Sequence, residues 1–216
     1  MANFIEEVDE EVRRDRLEKA WKRWSPYAIG LVILLLAGVA GHQVWKTWQS
    51  EKAAAAGAAF TAALNQAQAG KPADAAKAFA DMAASGKDGY ALLARFQQAA
   101  VLIEAKDMPG AIAAYDAIAA DSGINQRFRD LANYLAAFHG FDTLGAEGVR
   151  KHVAAIPGDS PWYANGRELQ ALAELKAGNR DAARQQLTAL ADDPLVPAGL
   201  RGRAAELLAA LGGPVQ

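Results

Sequence analysis

The chain has 216 residues, 23 of them basic and 25 acidic, and it contains no cysteine. The near-balance of charge argues against a basic surface for nucleic acid. The absence of cysteine excludes disulfides, thiolate metal sites and cysteine nucleophiles. It also suits an oxidising compartment.

The N-terminal head, residues 1–23, combines many charges with apolar residues at helical spacing. The apolar residues that fall roughly on one helical side are Phe4, Ile5, Val8, Val12, Leu17, Trp21 and Trp24. This spacing predicts an amphipathic helix, which we interpret as lying at a membrane interface and fixing the topology. The alternative is a docking helix for a cytoplasmic partner.

Residues 24–45 form the most apolar stretch of the chain. They read WSPYAIGLVILLLAGVAGHQVW, 22 residues without a formal charge. About 20 apolar residues match the roughly 30 Å hydrocarbon core of a bilayer. Trp24, Tyr27, Trp45 and Trp48 stand at the two ends, where amphipathic rings prefer the headgroup level. The stretch therefore predicts one transmembrane helix.

The cations beside this stretch predict an orientation. The head carries six basic residues, whereas only Lys46 and Lys52 follow closely on the other side. Because positive flanks stay in the cytoplasm, we expect residues 1–23 there and residues 46–216 in the periplasm, as a single-pass protein of a bacterial inner membrane. The alternative is a signal peptide cleaved at the small residues 38–40, but its n-region would be unusually long and acidic.

From residue 46 onward, apolar residues recur at helical spacing, and alanine, the best helix former, fills much of the rest. Turn and N-cap signals interrupt the pattern at regular intervals. They are Gly70-Lys71-Pro72, Lys106-Asp107-Met108-Pro109, Gly158-Asp159-Ser160-Pro161 and Gly178-Asn179-Arg180-Asp181. The pattern predicts an all-α tail of helical hairpins.

Residue types recur in this tail at intervals of 36 and 72 residues. Three series show the spacing: Ala63, Ala99 and Ala171; Ala75, Ala111 and Ala183; Phe79, Tyr115 and Leu187. A further unit fits with a slip of two residues, as Ala137, Val149 and Val153. The offsets within a unit resemble those of the tetratricopeptide repeat (TPR), in which small residues let paired helices approach closely. The tryptophan position of that repeat is not met, since Ala59, Arg95 and Arg167 stand there.

The predicted fold class is therefore all-α. One N-terminal transmembrane helix, at 24–45 between the head and the tail, precedes a TPR-like α-solenoid. The solenoid has about four degenerate hairpins and a capping helix, at 53–85, 88–121, 125–157, 161–193 and 198–211.

Stacked hairpins of this kind form a concave surface from their first helices. Its positions in the second and third units include Leu93, Phe96, Ile103, Tyr134, Phe138 and Phe141. We predict Phe96, Tyr134 and Phe138 as partner-binding residues, because aromatic rings on a groove suit extended or helical segments of other proteins. The alternative is that these rings pack within or between hairpins.

Motifs for catalysis are missing from the sequence. The tail contains two histidines, His139 and His152, and neither has the spacing of a zinc site. His139 follows Phe138 on an apolar helix, which is typical of a structural or surface histidine. The pair Asp192-Asp193 precedes Pro194, where turn chemistry explains it. We therefore expect neither enzyme activity nor a metal or other cofactor.

Residues 4–48 resemble the N-terminus of the YfgM-like proteins, ancillary subunits of the bacterial Sec translocon. In that family a short charged segment precedes one membrane helix and a periplasmic TPR-like domain. The resemblance implies a non-enzymatic interaction module whose partners are translocon subunits, a membrane-anchored periplasmic chaperone and client chains. It implies neither nucleic acid nor a small-molecule substrate. The alternative is a membrane-anchored TPR scaffold for another envelope assembly, such as division or outer-membrane biogenesis.

Overall fold

The computed structural model describes the backbone of residues 2–85 and 89–213. Among residues 1–32 it describes the side chains of 21, 23, 24, 27, 30 and 31 only. Nine helices lie in these ranges: α1 Ala2–Gln68, α2 Pro72–Ser85, α3 Gly89–Glu104, α4 Met108–Ala120, α5 Gln126–His139, α6 Phe141–Ala154, α7 Tyr163–Lys176, α8 Arg180–Asp192 and α9 Ala198–Ala210. The chain divides into two compact units, Met1–Ala55 and Ala56–Gln216.

The first unit consists of the N-terminal part of α1. Large apolar side chains such as Leu31, Leu36 and Val44 are exposed there, and the rings of Trp45 and Trp48 lie 5.3 Å apart. The predicted apolar side of the head, from Phe4 to Leu17, lies outside the side chains that the structure describes.

The fold class needs one correction. Among the described residues, no helix combines the length and the apolar character that crossing a membrane requires. The transmembrane helix predicted at 24–45 is therefore not supported. In the structure this stretch belongs to one 67-residue helix that also contains the charged head and an alanine-rich part. A bilayer span must be apolar over about 20 successive residues, and no described helix meets this requirement.

The second unit confirms the predicted all-α hairpins. The end of α1 packs on α2 around Ala63 and Phe79, and three further pairs follow as α3 with α4, α5 with α6, and α7 with α8. The last helix, α9, packs on α8 and also contacts α7. The first helices of neighbouring hairpins meet as well, since α5 contacts α7 directly.

The predicted repeat register places its residues in the core. Each of the following side chains is at most 3% exposed: Ala63, Ala99, Ala137 and Ala171; Ala75, Ala111, Val149 and Ala183; Phe79, Tyr115, Val153 and Leu187. The residues of the third unit are buried like those of the other units, so the predicted slip of two residues is confirmed. We call these twelve side chains the buried seam. Their alternation of small and large residues lets paired helices approach and fills the gap one turn later.

The turns inside the first, second and fourth hairpins share one geometry. Gly70, Lys106 and Gly178 occupy equivalent positions and have positive φ angles of 74°, 62° and 86°. The N–H of the next residue then donates to a carbonyl five residues back, at 3.0 Å, 2.8 Å and 2.9 Å. This is the Schellman motif, which satisfies the carbonyls at a helix end. Lysine tolerates a positive φ less well than glycine, so Lys106 is a strained member of the series.

The third hairpin turns differently. Gly140 separates α5 from α6, and Gly145, inside α6, has φ 63° and ψ −177°. A Cβ atom on Gly140 would lie 2.6 Å from the carbonyl oxygen of Ala136 and 2.9 Å from Cδ1 of Ile112. Only glycine fits so close an approach. The non-helical conformation of Gly145 interrupts α6 with a kink, which the sequence patterns did not predict.

Candidate protein-binding surface

Several large apolar side chains of the first helices of the second unit are exposed or half-buried. We define the first-helix face by Leu93 and Phe96 of α3, by Leu131, Tyr134 and Phe138 of α5, and by Trp162 just before α7. Leu93 is 52% exposed and Phe138 is 50% exposed. Side chains of this size are usually covered, so their exposure on the first helices of two successive hairpins marks the face as a candidate interface.

Tyr134 and Phe138 lie together at the centre of this face. Their ring centroids are 5.9 Å apart, and Tyr134 also stacks on Trp162 at 5.5 Å, with an angle of 18° between the ring planes. Tyr134 is half-buried, whereas Phe138 points further into solvent. The two predicted binding residues of α5 therefore form one aromatic platform.

Phe96, the third predicted residue, has a more structural setting. Its half-buried ring lies 6.2 Å from Tyr115 and packs against the cluster that joins α3, α4 and α5. Ile103 packs against the same cluster. The direct role of Phe96 in binding stays a prediction, while its packing role is visible.

Sequence reasoning missed two residues of the face, Leu131 and Trp162, and of these Trp162 contributes a ring to the platform. It precedes α7, in the turn after Pro161, and the repeat register assigned positions only within helices. The available signal was an aromatic residue directly before a first helix. A side chain at that place can reach back to the first helix of the preceding hairpin, as Trp162 does to Tyr134.

One ion pair borders the platform. Arg203 of α9 donates from Nε and Nη2 to the two carboxylate oxygens of Glu168, each at 2.8 Å. The Glu168 side chain is 14% exposed. Burial raises the pKa of Tyr134, with a further increase from the Glu168 carboxylate and an opposing effect of Arg203. The carboxylate is thus neutralised by a bidentate partner before any ligand arrives.

The platform continues into the core through further rings. The ring of Phe138 meets His139 edge to face at 5.1 Å, and His139 stacks on Tyr115 at 6.0 Å with an angle of 7°. Burial lowers the pKa of His139. Of the two expected settings, structural or surface, these ring contacts give His139 a structural one. Together with Phe96 and Trp162, these contacts hold the exposed rings on a fixed base.

His152 also has a structural environment. It is 8% exposed, and its Nδ1 lies 3.6 Å from Oδ1 of Asp116 on α4. Burial lowers its pKa, Asp116 raises it and Lys151 lowers it. In the described part of the chain, no group of acidic or histidine side chains is arranged to hold a metal ion. Asp193 accepts a hydrogen bond from the N–H of Leu195 at 2.8 Å, which confirms its turn role.

Residues 19–137 match the tetratricopeptide repeat-like domain family. The match covers more than half of the chain. The chain belongs to this family. No curated protein and no solved structure matches it.

TPR-like repeats mediate protein–protein interactions, so the chain is a protein-interaction module. Domains of this type are typically non-enzymatic, and nothing in the described residues indicates catalysis. The family match supports the TPR part of the resemblance found in the sequence. It does not confirm membership of the YfgM-like proteins.

Proposed function

We propose that this TPR-like protein binds segments of other proteins on its first-helix face. The observation that carries the proposal is the aromatic platform of Tyr134, Phe138 and Trp162, whose rings contact one another while Phe138 remains 50% exposed. A rigid aromatic surface loses little conformational entropy when a partner covers it.

The partners we propose belong to protein export: subunits of the Sec translocon, a periplasmic chaperone and client chains. The resemblance of residues 4–48 to YfgM-like proteins supports this choice. The placement of residues 46–216 in the periplasm remains a prediction. A reporter active only in that compartment, fused after Gln216, would test it, because an inactive but intact fusion contradicts periplasmic export of the tail.

Site-specific photocrosslinking of the full chain tests the binding face. A photoreactive phenylalanine analogue replaces Phe138 in one strain and Phe128 in another. Both side chains lie on α5 and are similarly exposed, at 50% and 45%. At 100° per residue they point about 80° apart around the helix. We expect protein adducts at position 138 and few at 128. Equal adducts at both positions, or none at 138, contradict the proposed face.

The identity of the adducts tests the partners. We expect translocon subunits or a periplasmic chaperone among the proteins crosslinked at position 138. Adducts confined to a division or outer-membrane complex would contradict the Sec role and favour the scaffold function instead. In that case the proposed binding face would still be supported, but the proposed export partners would be wrong.

A further inference from the structure

We propose that two copies of this chain associate through the exposed side of α9, with the two helices antiparallel and crossing at Gly202. The inference goes beyond the proposed function, because it uses the last helix of the second unit and none of the rings of the aromatic platform. A pair of chains would also carry two first-helix faces.

The last helix, α9, has a buried side and an exposed side. Leu200, Ala204 and Leu208 are buried in one cluster with residues of α8. At 100° per residue, six residues point within about 60° of the opposite direction. All six are exposed, and we call them the outer side of α9: Ala198, Gly199, Gly202, Glu206, Ala209 and Ala210.

Gly202 has no neighbour among the described residues that would require a glycine. A Cβ atom at this position would meet nothing within 4 Å, and the same is true at Gly199, one turn away on the outer side. Inside a helix, glycine is about 1 kcal/mol less favourable than alanine. What glycine permits is the close approach of another backbone. The two glycines therefore mark the place where a second helix can come closest to α9.

A second copy in the antiparallel direction fits this side, because its charges then complement each other. Glu206 follows Gly202 by four residues and Ala198 precedes it by four, so each lies about 6 Å from the crossing point along the axis. In an antiparallel pair, the Glu206 carboxylate of each copy is level with the first turn of α9 in the other. A parallel pair would instead place Glu206 against Glu206, where like charges repel.

The first turn of α9 can accept such a carboxylate. The helix begins after Pro197, with neither a side-chain cap nor an acidic residue in its first turn. The free N–H groups at a helix start carry a partial positive charge. Glu206 is exposed, and it has no hydrogen bond or ion pair with any residue that the structure describes. The two-fold symmetry of a pair forms this contact twice.

The apolar residues at the two ends of α9 match in the same way. Leu195 is 91% exposed and stands three residues before the helix, whereas Ala209 and Ala210 are the last two residues of the helix. The antiparallel direction brings the start of one helix to the end of the other. Leu195 of each copy is then covered by a surface of small side chains, which removes an exposed apolar group from water.

Disulfide crosslinking of the full chain tests this pairing, because the chain contains no cysteine of its own. Gly202→Cys should crosslink to itself on oxidation, since the crossing point brings this residue beside its own copy. Ala198→Cys and Glu206→Cys should each fail alone, because identical residues would lie about 12 Å apart along the axis, too far for a disulfide. A mixture of these two variants should crosslink, and it keeps one Glu206 carboxylate. Ala117→Cys, exposed on α4, is the control and should not crosslink.

The crosslinking outcomes are decisive in both directions. Crosslinks of Ala198→Cys alone and of Glu206→Cys alone would overturn the antiparallel direction. Absence of a crosslink at position 202, or an equal yield at position 117, would overturn the interface itself.

Sedimentation velocity of the full chain provides a second measurement. Because α9 is only about 20 Å long, the interface is small, and we expect a dissociation constant of the order of 10 μM or weaker. Gly202→Leu should weaken the pair at least about tenfold by keeping the backbones apart. It should not impair folding, since the position is open and leucine favours helices. Ala117→Leu, the matched control, should leave the dissociation constant unchanged. A monomeric wild-type chain at ten times the expected dissociation constant, or a Gly202→Leu variant that associates as strongly as the wild type, contradicts the proposal.

Discussion

The buried seam and the first-helix face use similar side chains under opposite constraints. Tyr115 in the seam is 3% exposed, whereas Phe138 on the face is 50% exposed, although their rings are linked through His139. The seam must fill a space between helices that recurs in each unit. On the face, by contrast, the ring of Phe138 remains half exposed, which suits the binding role that we propose for it.

The largest expected effect separates these two regions. Tyr115→Ala should lower the free energy of unfolding by about 3 kcal/mol, because it removes a buried ring and leaves a cavity. Phe138→Ala should lower it by about 1 kcal/mol or less, since the ring is half in solvent. Chemical denaturation of the full chain measures both values. Equal losses would show that the face is part of the core.

A smaller effect tests the turns that align the seam. Lys106→Gly should raise the free energy of unfolding by about 1 kcal/mol, because it relieves a left-handed backbone conformation at φ 62°. Gly178→Ala, at the equivalent turn with φ 86°, should lower it by a similar amount. Thermal unfolding monitored by circular dichroism compares the pair. The same direction of change in both variants would contradict a shared turn geometry.

Arg95 belongs to neither the buried seam nor the first-helix face. It stands where the repeat would carry tryptophan, and its Nη1 lies 2.6 Å from Oδ2 of Asp121. The Arg95 side chain is 32% exposed, so Arg95→Ala should cost about 0.5 kcal/mol, as for other partly exposed ion pairs. The loss should shrink at high salt. A loss as large as that of Tyr115→Ala would place Arg95 in the seam.

The smallest expected effect concerns pH. The pKa of His152 is lowered in the folded chain by burial, while Asp116 opposes the shift and Lys151 adds to it. As the pH falls below about 6.5, the unfolded chain takes up the proton first, so stability should decrease there and stay constant above. Because the pKa of His139 is lowered too, His152→Gln should reduce this dependence without abolishing it. An unchanged pH profile in the variant would contradict a role for His152.

Periodicity predicted the parts of the molecule that repeat. Ala137 and Val153 were placed correctly despite the slip of two residues, because the spacing between the two helices of a hairpin is preserved within the unit. The five-residue connection 121–125 between α4 and α5 accommodates the slip. The turn and N-cap signal at Lys106-Asp107-Met108-Pro109 was also interpreted correctly from the sequence. In the structure Asp107 caps α4 by accepting a hydrogen bond from the N–H of Gly110 at 3.0 Å.

The transmembrane prediction shows where local composition misleads. An apolar run was assigned as a separate element at 24–45, but the structure continues it into one long α1, and no described helix meets the requirements of a membrane span. Composition within a window says nothing about where the helix containing it begins and ends. Those ends depend on capping and on the residues outside the window.

The sequence by itself determined the all-α class, the hairpin boundaries and the buried seam, because helix propensity, turn residues and packing size act over a few residues and repeat in every unit. Only the tertiary structure decided how the face is built. Trp162 reaches Tyr134 from another hairpin, and Arg203 reaches Glu168 from α9. Contacts between residues 28 and 35 positions apart have no periodic signature, since they depend on how whole helices are oriented in space.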